Sequence, residues 1–283
     1  MLERINSDDG WMGPTHAMSA VAITFLLTML AGEFMFKEVF GTTDWVVFVA
    51  ATIIVVGASL MPDLDATTST SINVLGIIGT FLSTVMRGFS KTVQSIFRTK
   101  YDKADPDPHR GFWHTILAAI LAGGFVLFLV SIKIPIAQIG KTNLTTSNLV
   151  VMFIIFISIQ LLIASLIKPL YKKTKDSFIA KAIITVLSII VAVSLTLLSP
   201  SGLDFKWVAA AVTLGWLCHL VGDMMTVSGV PVLAPFIKIK GKRWWMVSLS
   251  SSKAGGWLEM SVFNPLFVIV IIVAGIKIIP MLT

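Results

Sequence analysis

Cysteine is almost missing from this chain: Cys218 is the single one in 283 residues. That excludes an internal disulfide framework and a cysteine-rich zinc site, so a metal here would have to be held by imidazole and carboxylate. Charge is scarce as well. Charged residues make up 13% of the chain and hydrophobic residues 55%, with a mean hydropathy of +0.89, whereas an ordinary soluble domain carries about 25% charged residues. A soluble globular protein is therefore excluded as the first reading. Histidine is limited to four, and no internal repeat or low-complexity tract occurs.

What the chain has in plenty is apolar residues, in blocks long enough to cross a hydrocarbon core of roughly 30 Å. Windows of about 19 residues predict spans at Thr15–Ala31, Trp45–Met61, Phe112–Ile132, Leu149–Ile167, Ala180–Leu198, Trp207–Val227 and Val262–Ile279. The expectation is an all-α polytopic bundle of seven transmembrane helices, a single integral membrane domain over residues 1–283. The first span resembles a signal-peptide core in length, but the residues ahead of it include Glu3, Asp8 and Asp9, so an uncleaved span is expected. Cys218 lies inside an apolar run and should simply be buried.

The formal charge of +7 invites a nucleic-acid reading. Alternation of seven spans gives a different cause. All but five of the 22 Lys and Arg fall on the side of the N-terminus, the exceptions being Lys37, Lys133, Lys141, Lys206 and Lys277. By the positive-inside rule that side is cytoplasmic, which makes the chain a multi-pass protein of the bacterial inner membrane with a cytoplasmic N-terminus. The basic excess then follows from topology and anionic lipid, with membrane lipids as the natural partners and nucleic acid not required.

Two loops on that side are not plain connectors. Within residues 61–112, Leu75, Ile78, Leu82, Val85, Phe89, Val93 and Ile96 recur at steps of three and four, with Arg87, Lys91 and Arg98 off the stripe. This pattern predicts an amphipathic helix in the membrane interface over residues 72–97, a re-entrant segment being the alternative. The loop over residues 229–260 contains Pro231, Pro235, Trp244, Trp245, Gly255, Gly256 and Trp257 and reads as an irregular interfacial segment, either a lid or an anchor. Ser248 and its neighbours have no histidine beside them and read as loop.

All four histidines fall at predicted helix ends on the cytoplasmic side. His16 opens the first helix, Asp63 and Asp65 close the second, His109 and His114 bracket the start of the third, and His219 and Asp223 end the sixth. His219 and Asp223 are four apart and share a helix face. The Asp-Leu-Asp after Pro62 presents oxygen ligands from a turn. Arg110 stands ready for an anionic oxygen, and Gly111 allows close approach. Each motif alone also has a plain reading, as a helix-end hydrogen bond, a cap or a headgroup anchor. Together, His16, Asp63, Asp65, His109, His114, His219 and Asp223 make seven candidate metal ligands. That exceeds one tetrahedral ion and suits two, with zinc favoured and manganese or iron acceptable.

These residues resemble the YdjM-like membrane proteins, described as LexA-binding, inner-membrane-associated metal-dependent hydrolases. The resemblance is carried by Thr15-His16, by Leu60 to Asp65, by His109 to Thr115, and by His219 to Thr226 followed by Gly229, Val230, Pro231 and Pro235. The family commonly has threonine where Trp113 stands and serine where Thr115 stands. It also places a glutamate before its last helix, which Glu259 matches as a base, a ligand or a helix-entry carboxylate. The resemblance implies a metal-dependent hydrolase, an activity itself inferred from such motifs, and permits a LexA-type partner.

For a hydrolase, Asp65 and Glu259 are candidate proton acceptors and Arg110 the group that steadies negative charge. Position at the interface points to a lipid-linked substrate, with a phosphoester ahead of an amide. Two other classes compete: a divalent-cation or proton transporter, which would place its ligands near mid-bilayer, and a non-catalytic regulatory protein with a structural metal.

Overall fold

The computed structural model describes residues 13–66, 70–97, 110–139, 142–171, 178–200, 202–238, 244–250, 253 and 255–282. His109, the leader with Glu3, Arg4, Asp8 and Asp9, and Arg98, Lys100, Lys103, Lys141, Lys172, Lys173, Lys175, Lys240, Lys242 and Arg243 lie outside them.

Helix accounts for about 76% of the chain. The helices run α1 Gly13–Leu30, α2 Gly32–Phe34, α3 Trp45–Ala58, α4 Thr70–Leu75, α5 Ile77–Phe97, α6 Ile116–Ser131, α7 Thr146–Tyr171, α8 Phe178–Leu198, α9 Lys206–Met224 and α10 Asn264–Ile278. A small antiparallel hairpin, β1 Pro135–Ile139 and β2 Thr142–Thr145, joins α6 to α7. Six segments, beginning in α1, α3, α7, α8, α9 and just ahead of α10, are long and apolar enough to span, and α6 is a shorter apolar helix of the same kind. The seven expected spans are thus all present as helices.

The third span starts four residues later than hydropathy predicts. Thr115 is in an extended conformation (φ −126°, ψ 156°), and its side chain accepts from the Ala118 N–H. It is an N-cap, and such caps contribute about 1 kcal/mol. His114 therefore sits in a separate 3-10 turn, Phe112–His114, ahead of the helix. Asp44 caps α3 in the same way, accepting from the Val46 N–H at 2.7 Å.

Contacts at the helix ends show which ends share a face. A Cβ on Gly13, at the start of α1, would meet Ser165 near the end of α7 and Leu60 just after α3. On the opposite face Lys133, after α6, lies 3.7 Å from Asp204, before α9, and Gly32 faces Met281. This is the alternation expected of seven spans. On that far face Lys206 donates to Asp204, which holds this carboxyl below its usual range.

Burial ranks the helices. The α3 segment and α9 are 72% and 67% buried, while α8 and the α10 segment are 22% and 11% buried and turn their aliphatic side chains to lipid. Small residues let the central helices approach: a Cβ at Gly215 of α9 would strike the Val55 carbonyl of α3, and one at Gly57 of α3 would strike Ser158 of α7. Without water to drive apolar burial inside a bilayer, close backbone packing of this kind is a main source of helix association.

The amphipathic helix is present as α5, preceded by α4. It lies over the two 3-10 turns Pro62–Asp65 and Phe112–His114, and its buried face is Gly79, Ser83, Met86 and Ser90. The predicted apolar stripe is offset from that face: Leu75 is buried, whereas Val85, Phe89 and Ile96 are exposed. Gly79 on that face packs against α4, where an added Cβ would strike the Ile72 carbonyl.

Candidate metal centre

Four segments bring the histidines and aspartates together. His16 lies in the first turn of α1, and its carbonyl accepts from the Ser19 hydroxyl at 2.9 Å and the Ser59 hydroxyl at 3.4 Å. Pro62 opens the turn Pro62–Asp65, and Leu64, 1% exposed, pins it to the core. At about three residues per turn, Asp63 and Asp65 point to different sides. Asp63's side chain is 32% exposed and Asp65's is fully buried.

His114 follows two aromatic anchors. Trp113 donates its indole N–H to the Met86 carbonyl of α5 at 2.7 Å, and Phe89 stacks near both Phe112 and Trp113. The Trp216 indole N–H in turn donates to the Trp113 carbonyl at 2.7 Å. This links the residue before His114 to α9, one turn ahead of His219. His219 and Asp223 project from the same face of α9, as their spacing predicts.

The ring of His219 is set by its own hydrogen bond. Its Nδ1 lies 2.8 Å from the Ser59 carbonyl oxygen. A carbonyl can only accept, so Nδ1 carries the proton and donates, and in a neutral ring Nε2 carries the lone pair. That lone pair faces carboxylate oxygens, Asp223 Oδ2 at 3.4 Å and Asp63 Oδ1 at 3.6 Å.

His114 Nε2 meets the same two oxygens, at 3.6 Å and 3.7 Å. His16 stacks on His219 with centroids 4.2 Å apart and places its Nε2 3.3 Å from the other oxygen of Asp223. Two groups of three donors have atoms within 4.8 Å of one another: His16, His219, Asp223 and Asp63, His114, His219.

The spacing is informative. Separations of 3.3 to 3.7 Å are long for hydrogen bonds, whereas donors each bound at about 2.0–2.2 Å to one ion stand roughly 3–3.5 Å apart. Among the described residues no lysine or arginine pairs with Asp63 or Asp223. Buried carboxylates need a counter-charge, and a divalent cation among imidazole nitrogens supplies one. The residues present fit such an ion.

The other predicted site residues are placed differently. Asp65 belongs to neither donor group; its Oδ2 is 3.8 Å from Nδ1 of His114, on the far side of the ring from the carboxylates. Glu259 also belongs to neither. It is buried at the start of the π-helical turn Glu259–Phe263 and accepts from the Gly255 N–H at 2.6 Å, the helix-entry role considered for it.

Arg110 is 8% exposed and donates from Nη1 to the Gly229 carbonyl at 3.1 Å, while its Nε and Nη2 have no hydrogen-bond partner among the described residues. It also takes the left-handed backbone conformation, φ 59°, while Gly111, the residue expected to ease close approach, has φ −88°. A bulky residue held there marks a constrained turn.

The sequence did not reveal the Ser59 carbonyl or the two tryptophans as parts of this centre. Backbone acceptors carry no residue signature, and Trp113 and Trp216 read as interfacial or core aromatics. The loop after α9 is held back onto the helix end: Val230 bridges Val247, and Ser248 donates to the Thr226 carbonyl at 2.6 Å. Ser248 is thus structural. Trp257, 71% exposed, suits the anchor reading of this loop, and Trp244 is buried.

The fold and centre define a multi-pass membrane protein with a buried His/Asp cluster at one end of its helix bundle that could hold a metal. The chain belongs to the YdjM inner membrane protein family, whose model matches residues 12–280. No curated protein and no solved structure matches it.

Proposed function

We propose that this protein is a metal-dependent hydrolase of the inner membrane, acting at the cytoplasmic interface on a lipid-linked phosphoester. The observation that carries the reading is His219, whose Nδ1 is tied to the Ser59 carbonyl while Nε2 faces carboxylates of Asp63 and Asp223. A metal cation lying between them would satisfy the lone pair and both anionic oxygens.

His16, His114, His219, Asp63 and Asp223 would hold the ion. One Nε2 serves one ion, and His219 is common to both donor groups, so these five donors make a single shared site. Zinc suits the imidazole-rich set best, with manganese or iron also accommodated. When bound, such an ion supplies Lewis-acid polarisation and acidifies water.

The chain's own residues do the rest. Asp63 is the partly exposed carboxylate of the set, so substrate enters from its side and its second oxygen takes the proton. Asp65, behind His114, orients that ring. Arg110 offers Nε and Nη2 to an anionic oxygen, the geometry guanidinium uses for phosphate.

Depth and helix continuity favour hydrolysis over transport. His219 lies five residues inside the end of α9, roughly 7.5 Å at the helical rise, and neither α1 nor α9 is broken at the site. The test is the metal content of the purified full-length protein, together with hydrolysis of lipid phosphoesters by wild type, His114→Ala and Asp223→Ala. Bound metal and activity, both lost in the variants, are expected; metal-free protein with unchanged activity in both variants would overturn the reading.

A further inference from the structure

A groove of about 730 Å³ runs between α5, α6, α7 and α9, and almost every side chain lining it is apolar. One end is lined by sequence neighbours of the metal donors, though by none of the donors themselves. Leu64, between Asp63 and Asp65, lines it, as do Trp113, next to His114, and Trp216, one turn before His219. From there the lining follows α6 through Phe125 to Leu129 and meets Leu149 of α7. Along α6 the lining from Leu121 to Leu129 covers roughly 12 Å at the helical rise, a little under half of a hydrocarbon core of about 30 Å.

We propose that this groove seats the hydrocarbon tail of the lipid substrate and so delivers its polar head to the metal centre. The inference rests on the hydrolase reading above. Three features select the occupant. The groove lies at membrane depth between spanning helices, and its outer wall is open: Phe125 is 63% exposed and Phe153 is 50% exposed. Its lining offers an inserted peptide almost nothing to hydrogen-bond, and unsatisfied peptide groups are costly in hydrocarbon. The groove also ends at the two segments that carry Asp63 and His114, with Arg110 two residues before the lining residue Phe112.

A chain in the groove and an anionic head beside Arg110 are the two halves of one amphiphile. The offset of the α5 stripe fits this arrangement. Leu82, Val85 and Phe89 line the groove while Gly79, Ser83 and Ser90 lie on the buried face of α5, so α5 roofs the chain with its apolar side chains.

The experiment uses the full-length protein in phosphatidylcholine nanodiscs containing a phosphatidylglycerol with a photoreactive diazirine in one acyl chain. Adducts are mapped by peptide mass spectrometry. Labelling at Phe125, Leu129, Leu149 and Phe153 should exceed that at the lipid-facing Ile189 of α8 and Ile272 of α10 at least fivefold. Ala122→Trp, which fills the groove, should remove the excess while metal content stays at the wild-type level. Phe125→Ala, at an exposed position that folding does not depend on, should weaken it. Equal labelling of groove and outer faces, or cross-links between two protein copies in place of lipid adducts, would overturn the proposal. Strong groove labelling of a protein that binds no metal would support the groove while overturning the hydrolase reading, so the two can fail separately.

Discussion

The Trp216 indole N–H donates to the carbonyl oxygen of Trp113 at 2.7 Å, joining the turn that carries His114 to the helix that carries His219. Trp216 is buried, and the bond spans 103 positions of sequence. It acts at one remove from the metal ligands, setting the distance between the two segments. Trp216→Phe keeps the ring and removes the donor. Partners at this remove typically change metal affinity 10- to 100-fold, so the variant should bind metal about tenfold more weakly, read by competition with a chromogenic chelator. Unchanged affinity would show that packing alone holds the two segments.

Removing the metal should loosen the bundle, because two of its helix ends and two turns converge on the ion. Binding at about 100 times the dissociation constant stabilises a fold by roughly 2.7 kcal/mol. Chelation should lower the melting temperature of wild type, and added zinc should restore it. Asp223→Asn should melt at one temperature with or without zinc.

One ion per chain is the expected stoichiometry in metal analysis of purified protein, since His219 is shared by both donor groups. A reproducible value of two would assign a second site to residues beyond the five donors.

Arg110 should separate stability from activity. Its left-handed backbone and the Nε and Nη2 left unpartnered among the described residues both cost free energy, and glycine removes both costs. Arg110→Gly is expected to melt no lower than wild type, while kcat/KM for a lipid phosphoester falls about 100-fold, the scale seen on losing one charge-stabilising donor. A fall in melting temperature with activity intact would make Arg110 a structural residue.

Topology can be read with single cysteines in a Cys218→Ala background. A cysteine at Lys133 should react with membrane-impermeant maleimide from outside the cell, and one at Lys253 only after the membrane is opened. The reverse pattern would invert the assignment made from basic residues.

The sequence by itself determined the medium and the spans. Apolar runs of spanning length find a stable place chiefly in a bilayer, and lysine and arginine are distributed by the membrane. It also supplied the donors, because histidine is rare here and His16, His114 and His219 meet at one end of the bundle. The fourth histidine, His109, lies outside the described residues.

Only the tertiary structure decided how the donors divide. Asp63 and Asp65 are nearly adjacent in the chain, yet one faces the opening and the other lies behind His114, since a 3-10 turn rotates them apart. The Ser59 carbonyl and Trp216 entered the centre through contacts 160 and 103 positions apart. The groove is a further case: its lining comes from helices that hydropathy reads separately as spans, and the space between them exists only once close contacts such as Gly57 with Ser158 and Gly215 with Val55 set how the helices cross.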